Sequence, residues 1–209
     1  MNAPAPPPLA ADPVPPPRPP LILASASPRR LALLAQLAIV PDHVLPTALD
    51  ETPRPDESPR LYAQRIARAK AAAARAQAGP QGLILAADTV VALGRRILPK
   101  AETEDHARRC LTLLSGRRHQ VITAVVLLGP DNRRSERVVT STVGFARLTE
   151  AQHETYLASP DWHGKAGGYA IQGTAASFIR FLSGSYSNVV GLPLFETAQL
   201  LRGHGWLRP

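Results

Sequence analysis

Two hydroxyls and two guanidinium groups lie close together at Ser25, Ser27, Arg29 and Arg30, just after a short apolar run and around a proline. A helix starting there turns its first backbone N–H groups toward whatever lies above, and its dipole favours an anion. Hydroxyls and forked arginine donors added to that end make the composition of a polyphosphate site. It is not a Walker loop, because no glycine loop ends in Lys-Ser or Lys-Thr. The same run also fits a capped helix that carries two surface arginines.

A second group is Asp88 with Thr89, closing the apolar run Leu83 to Ala87. Sites in open α/β sheets sit at the carboxyl ends of strands. A carboxylate there can hold a hard cation such as Mg²⁺ or take a proton from water. A lone aspartate can equally cap a turn. Asp50-Glu51, in a Pro-rich stretch, can complete a metal site or stay solvated.

The third group runs from Lys165 to Gly173. Its glycines permit close backbone approach to a ligand. Tyr169 offers a stacking face, or a core ring in a tight turn. Gln172 offers an amide, one acceptor and two donors, that can read the imide edge of uracil or thymine.

The cations carry a further signal. Of 24 basic residues only Lys70, Lys100 and Lys165 are lysines. Lysine is a compact point charge and arginine a planar fork, so these positions are candidates for places where a fork does not fit. The bland alternative is three surface lysines left by chance.

The elements that must position these groups alternate between strand and helix patterns. Leu21–Ala24 reads as a buried strand, and a helix follows to Ala38 with Leu31, Leu34 and Leu37 inward. Ser58-Pro59 starts a helix to about Gln77, with Leu61, Ile66 and Ala69 on one face. Leu83–Ala87 is the strongest buried strand. Val90–Leu93 and Arg96–Leu98 read as a hairpin around Gly94-Arg95. Thr103 caps a helix to Leu114, and Thr149 one to Ala158. Val121–Leu128 and Arg137–Phe145 are long strands, Ser177–Leu182 is another, and Pro193–Leu201 is a final helix. The order is not strictly βαβ, so the class is α/β with a mixed sheet.

Composition bounds the rest. Ten of the 22 prolines fall in residues 1–20, where Asp12 and Arg18 are the only charges. That stretch reads as a solvated polyproline-like tail and residues 21–209 as one domain. The net charge of +8 therefore belongs to the domain. No apolar run approaches a membrane span, and no secretory signal pattern opens the chain. A single cysteine, Cys110, excludes an internal disulfide and a Cys-based zinc site, and reads as inert core. The histidines lack metal-ligand spacing. Aromatic content of 5% and the lack of aromatics interleaved with the basic residues argue against a nucleic-acid binder. A cytoplasmic protein without membrane or nucleic-acid partner fits these features, and a homodimer is compatible with them.

Several motifs in order resemble the Maf family of nucleoside triphosphate pyrophosphatases. They are Leu-Ala-Ser-Ala-Ser-Pro-Arg-Arg at 23–30, Asp50-Glu51-Thr52, Ala-Arg-Ala-Lys at 67–70, Ala-Ala-Asp-Thr-Val-Val at 86–91 and Leu-Ser-Gly-Arg at 114–117. Lys165-Ala166-Gly167, Ile171-Gln172-Gly173 and Val-Gly-Leu-Pro-Leu at 190–194 continue the match. The resemblance implies an elongated, two-lobed fold with a central cleft, and hydrolysis of a nucleoside triphosphate to monophosphate and pyrophosphate. It implies a divalent cation, with Asp88 as proton acceptor; the mechanism expected for these residues places Mg²⁺ or Mn²⁺ on the carboxylates of Glu51 and Asp88. Arg29, Thr89 and Gln172 match positions tied to substrate choice. Ser25, Arg30, Glu51, Lys70 and Lys100 match the polar lining, and Lys165 opens a matched motif. Tyr169 and Ile-Gln-Gly resemble the branch acting on dTTP and UTP, with modified pyrimidine nucleotides as further candidates. The alternatives are 7-methyl-GTP, which a neutral Gln172 disfavours, and a non-enzymatic septum-formation regulator or nucleic-acid binder. One departure is Pro99-Lys100-Ala101, where many relatives read Gly-Lys-Pro, which leaves the loop's backbone open.

Overall fold

The computed structural model describes residues 18–207. Most of the segment read as a proline-rich tail, residues 1–17, lies outside the described residues. Its last residues pack on the domain. The Trp206 indole donates to the Pro19 carbonyl at 2.9 Å, and the Arg18 guanidinium lies 4.2 Å from the centre of the same ring. Leu83 N donates to the Pro20 carbonyl at 2.8 Å. These contacts start at Arg18, inside the stretch assigned to the tail. They use backbone carbonyls and one stacked cation, which composition does not reveal.

A mixed sheet of seven strands forms the centre. Strand β1 (Leu21–Ala24) pairs in parallel with β2 (His43–Val44) and with β3 (Leu83–Leu93). The other edge of β3 pairs antiparallel with β6 (Arg118–Leu128), which pairs with β7 (Arg134–Phe145), which pairs with β9 (Ile179–Ser183). Strand β4 (Arg96–Leu98) folds back on β3 as the expected hairpin. Strands β5 (Lys100–Ala101) and β8 (Lys165–Ala166) form a second, two-stranded sheet. The α/β class with a mixed sheet is the observed one.

Side chains alternate across β3, as a period of two demands. Leu83, Leu85, Ala87 and Val91 join the larger core. Helices α1 (Pro28–Ala35), α3 (Glu104–Leu114), α4 (Glu150–Leu157), α5 (Tyr186–Val190) and α6 (Leu194–Gly203) belong to this face or its rim. Ile84, Ala86 and Val90 join the second core, closed by α2 (Pro59–Ala78). Cys110 is buried in the larger core, as expected.

Four details differ from the sequence reading. On α1, Leu33 and Leu34 face inward with Arg30, whereas Leu31 is exposed and the helix ends before Ala38. Arg30 takes the inward place because its guanidinium finds acceptors there. On α2, Leu61 is 60% exposed, and the buried stripe runs Tyr62, Ala63, Ile66, Ala67, Lys70, Ala71, Ala74. That i, i+3, i+4 stripe carries Lys70 into the interior. A 3-10 turn occupies Thr174–Phe178, so β9 starts at Ile179, and helix α5 was not read at all. Finally, β3 does not end at Ala87; it continues through Asp88 to Leu93.

A chain starting at Arg18 is expected to melt with the full-length protein. One starting at Leu21 loses the Trp206 and Leu83 partners, together worth roughly 1–3 kcal/mol. At about 2–4 °C per kcal/mol for a domain of this size, calorimetry reads a drop of several degrees. Equal melting of the two truncations would show that these contacts hold nothing.

Candidate active site

The cleft begins as a gap in the sheet. The last pair between β1 and β3 is Ala24 with Ala86, and the first between β3 and β4 is Val91 with Leu98. Both neighbours use the same edge of β3, so Ala87 to Val90 have no partner strand there. Asp88 thus lies in mid-strand, yet just past the carboxyl end of the parallel neighbour β1. A cavity of about 480 Å³ opens at this point. Alternation sends Asp88 to the α2 face and Thr89 to the other, and the gap lets both border the cavity.

On the α2 side, Lys70 is the hub. Its ammonium lies 2.7 Å from Asp88 Oδ1 and 2.7 Å from Glu51 Oε1. Lys100 reaches Glu51 Oε2 at 2.5 Å. Asp88 is 3% exposed and Lys70 8%. Burial pushes the Asp88 carboxyl above the ordinary aspartate range, against the pull of Lys70 and Arg30. Burial also pushes Glu51 up, but Lys100 and Lys70 outweigh it and hold it below the usual range. The Tyr62 phenol donates to the Glu51 carbonyl at 2.8 Å and fixes that loop.

On the other side, Arg30 is buried and satisfied by the protein. Its Nε donates to the Gly191 carbonyl at 2.9 Å and its Nη1 to Ser25 Oγ at 2.9 Å. Ser27 N also donates to Ser25 Oγ. Ser25 and Arg30 therefore shape the loop ahead of α1 while they border the cavity. Arg29, next in chain, also lines the cavity and has no hydrogen-bond or salt-bridge partner among the described residues. Burial works against its charge. Thr89 Oγ1 shares a 2.9 Å hydrogen bond with Thr123 Oγ1, and Thr123 donates to the Asn188 carbonyl at 3.1 Å.

The far wall is the segment from His163 to Gln172. The two-stranded sheet holds its start, with Gly167 N donating to the Pro99 carbonyl at 2.9 Å. Gly167 sits at φ +66°, and a Cβ there would fall 2.8 Å from Val91 Cγ1, so a side chain would push the wall off β3. Lys165 lines the cavity, its Nζ 2.8 Å from the His163 carbonyl. Gln172 is exposed in the cavity wall, and its amide makes no hydrogen bond among the described residues. Tyr169 does not present a stacking face. It is 6% exposed, packs edge-on against Phe145 and His119, and shares a 2.8 Å hydrogen bond with His119 Nε2. Burial pushes that histidine down to about 4.

Ser25, Ser27, Arg29, Arg30, Glu51, Lys70, Asp88, Thr89, Lys100, Lys165, Tyr169 and Gln172 all border this one cavity. Asp50, the other half of the carboxylate pair, does not; it stays outside and accepts from Thr52 N at 2.9 Å in a local turn. Tyr62, Thr123, Asn188 and the Gly191 carbonyl were not singled out. They act on other protein groups, so no chemical pattern marks them; Asn188 and Gly191 only adjoin or fall within a matched motif. Glu51 and Asp88 are the residues that fit a divalent cation. Both carboxylates converge on one point, now held by Lys70, and Asp88 Oδ2 has no partner among the described residues. No group of three acidic, His or Cys ligands exists among the described residues. A cation held by these two carboxylates would need its other ligands from phosphate oxygens and water, the usual habit of Mg²⁺.

Lys70→Met leaves Asp88 buried without its partner. Breaking a buried pair from one side costs about 3–5 kcal/mol, and urea unfolding is expected to show a loss of that order. A loss below about 1 kcal/mol would mean that the pair does not hold the site together.

Comparison with known proteins agrees with the motif order. A family model described as Maf-like protein matches residues 20–204. A dTTP/UTP pyrophosphatase of Granulibacter bethesdensis is 60% identical over 200 residues, covering 90% of this chain and 94% of its own. One of Gluconobacter oxydans is 59% identical over 203 residues, covering 92% and 93%. One of Rhodospirillum rubrum is 60% identical over 187 residues, covering 90% and 89%. The chain belongs to the Maf-like protein family.

Proposed function

We propose that this protein hydrolyses dTTP and UTP to the nucleoside monophosphate and pyrophosphate. The observation that carries the reading is one cavity with two unspent readers beside a charged cluster. Arg29 and Gln172 have no protein partner among the described residues, and Lys70, Asp88, Glu51 and Lys100 lie in the same cavity. The relatives, named dTTP/UTP pyrophosphatases, support the same reading.

In this reading Asp88 Oδ2 orients a water and accepts its proton as the oxygen attacks the α-phosphorus. The bond from that phosphorus to the bridging oxygen breaks, and pyrophosphate leaves. Lys70 holds Asp88 in place and, with Lys100, Arg29 and Lys165, offsets the charge of the phosphates. Arg30 ties the first turn of α1, which carries Arg29, to Ser25 and Gly191. A divalent cation on Glu51 and Asp88, when bound, neutralises phosphate oxygens and polarises the phosphorus. No helix among the described residues is long and apolar enough to cross a membrane.

Gln172 gives the base preference. Uracil and thymine present an N3–H between carbonyl oxygens. A glutamine amide accepts from N3–H and donates to one carbonyl at once. Cytosine has an acceptor at N3 and an exocyclic amine, so the same pose leaves polar groups unpaired. That costs about 1–3 kcal/mol, roughly ten- to a hundredfold.

Pyrophosphate release from a nucleotide panel tests this. The expected kcat/KM for dTTP and UTP exceeds that for CTP and 7-methyl-GTP by about tenfold or more. EDTA is expected to abolish turnover, and Mg²⁺ or Mn²⁺ to restore it. Gln172→Glu sets a carboxylate against a carbonyl oxygen and weakens dTTP and UTP. Asp88→Asn keeps the shape but lowers kcat by roughly a hundredfold or more with the circular dichroism unchanged. Equal turnover of CTP would overturn the role of Gln172, and an active Asp88→Asn that of Asp88.

A further inference from the structure

The segment between Asp161 and Thr174 supplies the cavity wall from His163 to Gln172, and a single carboxylate closes its base. Asp161 Oδ2 accepts from Thr174 N at 2.9 Å and from Thr174 Oγ1 at 2.8 Å. Those two hydrogen bonds hold the Asp161 carboxyl below its usual range. The carboxylate also abuts the residue after Gln172. A Cβ at Gly173 would lie 2.5 Å from Asp161 Oδ2, so a side chain there would displace the carboxylate. Asp161 itself is anchored to the end of α4. Its N–H donates to Ser159 Oγ at 3.3 Å, and the adjacent Trp162 indole donates to the Leu157 carbonyl at 2.9 Å. The two-stranded sheet and the Tyr169–His119 bond steady the early and middle parts of the wall. Beyond Tyr169, Ile171 packs into the larger core just before Gln172, and Asp161 supplies the hydrogen-bonded clamp just after it.

We infer that Asp161 is a positioning residue for base selection: by tying the two ends of this wall it sets where the Gln172 amide points. The inference rests on the proposed reading of Gln172. The chemical step belongs to β3 and α2, so loosening the wall separates selection from turnover.

The test compares Asp161→Ala with Asp161→Asn, whose amide oxygen still accepts from Thr174. For Asp161→Ala the expected result is a KM for dTTP about tenfold higher and a dTTP-to-CTP preference about tenfold lower, with kcat within about threefold. Amide exchange is expected to speed up across residues 164–173 and not in β3. Asp161→Asn is expected to restore both the preference and the slow exchange. Wild-type preference and wild-type exchange in Asp161→Ala would overturn the inference. So would an equal fall in kcat for every nucleotide with preference intact, the mark of a structural role alone. If the wild type releases pyrophosphate from no nucleotide, the reading of the site fails instead. The exchange comparison then still decides whether Asp161 holds the wall.

Discussion

One ammonium group sets the geometry of this molecule. Lys70 Nζ stands 2.7 Å from both Asp88 and Glu51, in a place where neither Lys70 nor Asp88 reaches bulk water freely. An uncompensated charge there would be expensive, so the lysine and the carboxylates must arrive together. That requirement fixes the rotation of α2, because only a stripe with Lys70 in line with Ile66 and Ala74 faces the sheet. It also fixes the loop around Glu51, tied down further by Tyr62. The hydrophobic faces that close the second core would tolerate some sliding; the ion triad does not.

The second constraint is topological. Because β1 and β4 share one edge of β3 without meeting, the sheet has an opening at Ala87 to Val90. Two successive residues of one strand point to opposite faces, and ordinarily such a pair could not serve one ligand. Here the opening exposes both, so the acid at 88 and the hydroxyl at 89 flank the same cavity.

These constraints explain what could be read from the sequence. Strands with continuous apolar runs, such as Leu83–Ala87 and Val121–Leu128, and helices with cap residues, such as Thr103 and Thr149, announce themselves locally. The site residues were legible too, since the three lysines and the Ser/Arg run are chemically conspicuous. What was not legible depended on long-range partners. Leu61 and Leu31 looked like core because a leucine outranks a charged residue in any local pattern, yet Lys70 and Arg30 took the inward positions once their partners were in place. Asp88 looked like a strand end because an aspartate usually stops a strand, and only a buried lysine from another element permits it to continue. Tyr169 suited either a stacking platform or a core ring, and Phe145 and His119 claim it for the core.

The same division separates two kinds of wall around the cavity. The wall built by β3 and α2 is buried, and its charges are locked to one another, so a change there is felt in stability. The wall from His163 to Gln172 is mostly irregular chain, held by a two-residue strand, by Tyr169 and Ile171 set in the core, and by one carboxylate. Few contacts need to change for such a segment to present a different side chain to a base. On the proposed reading, a scaffold arranged this way can alter which base it accepts while it keeps one phosphate chemistry. The opposite order, selection on the rigid strand and chemistry on the loop, would forfeit the preorganised charges that phosphoryl transfer depends on.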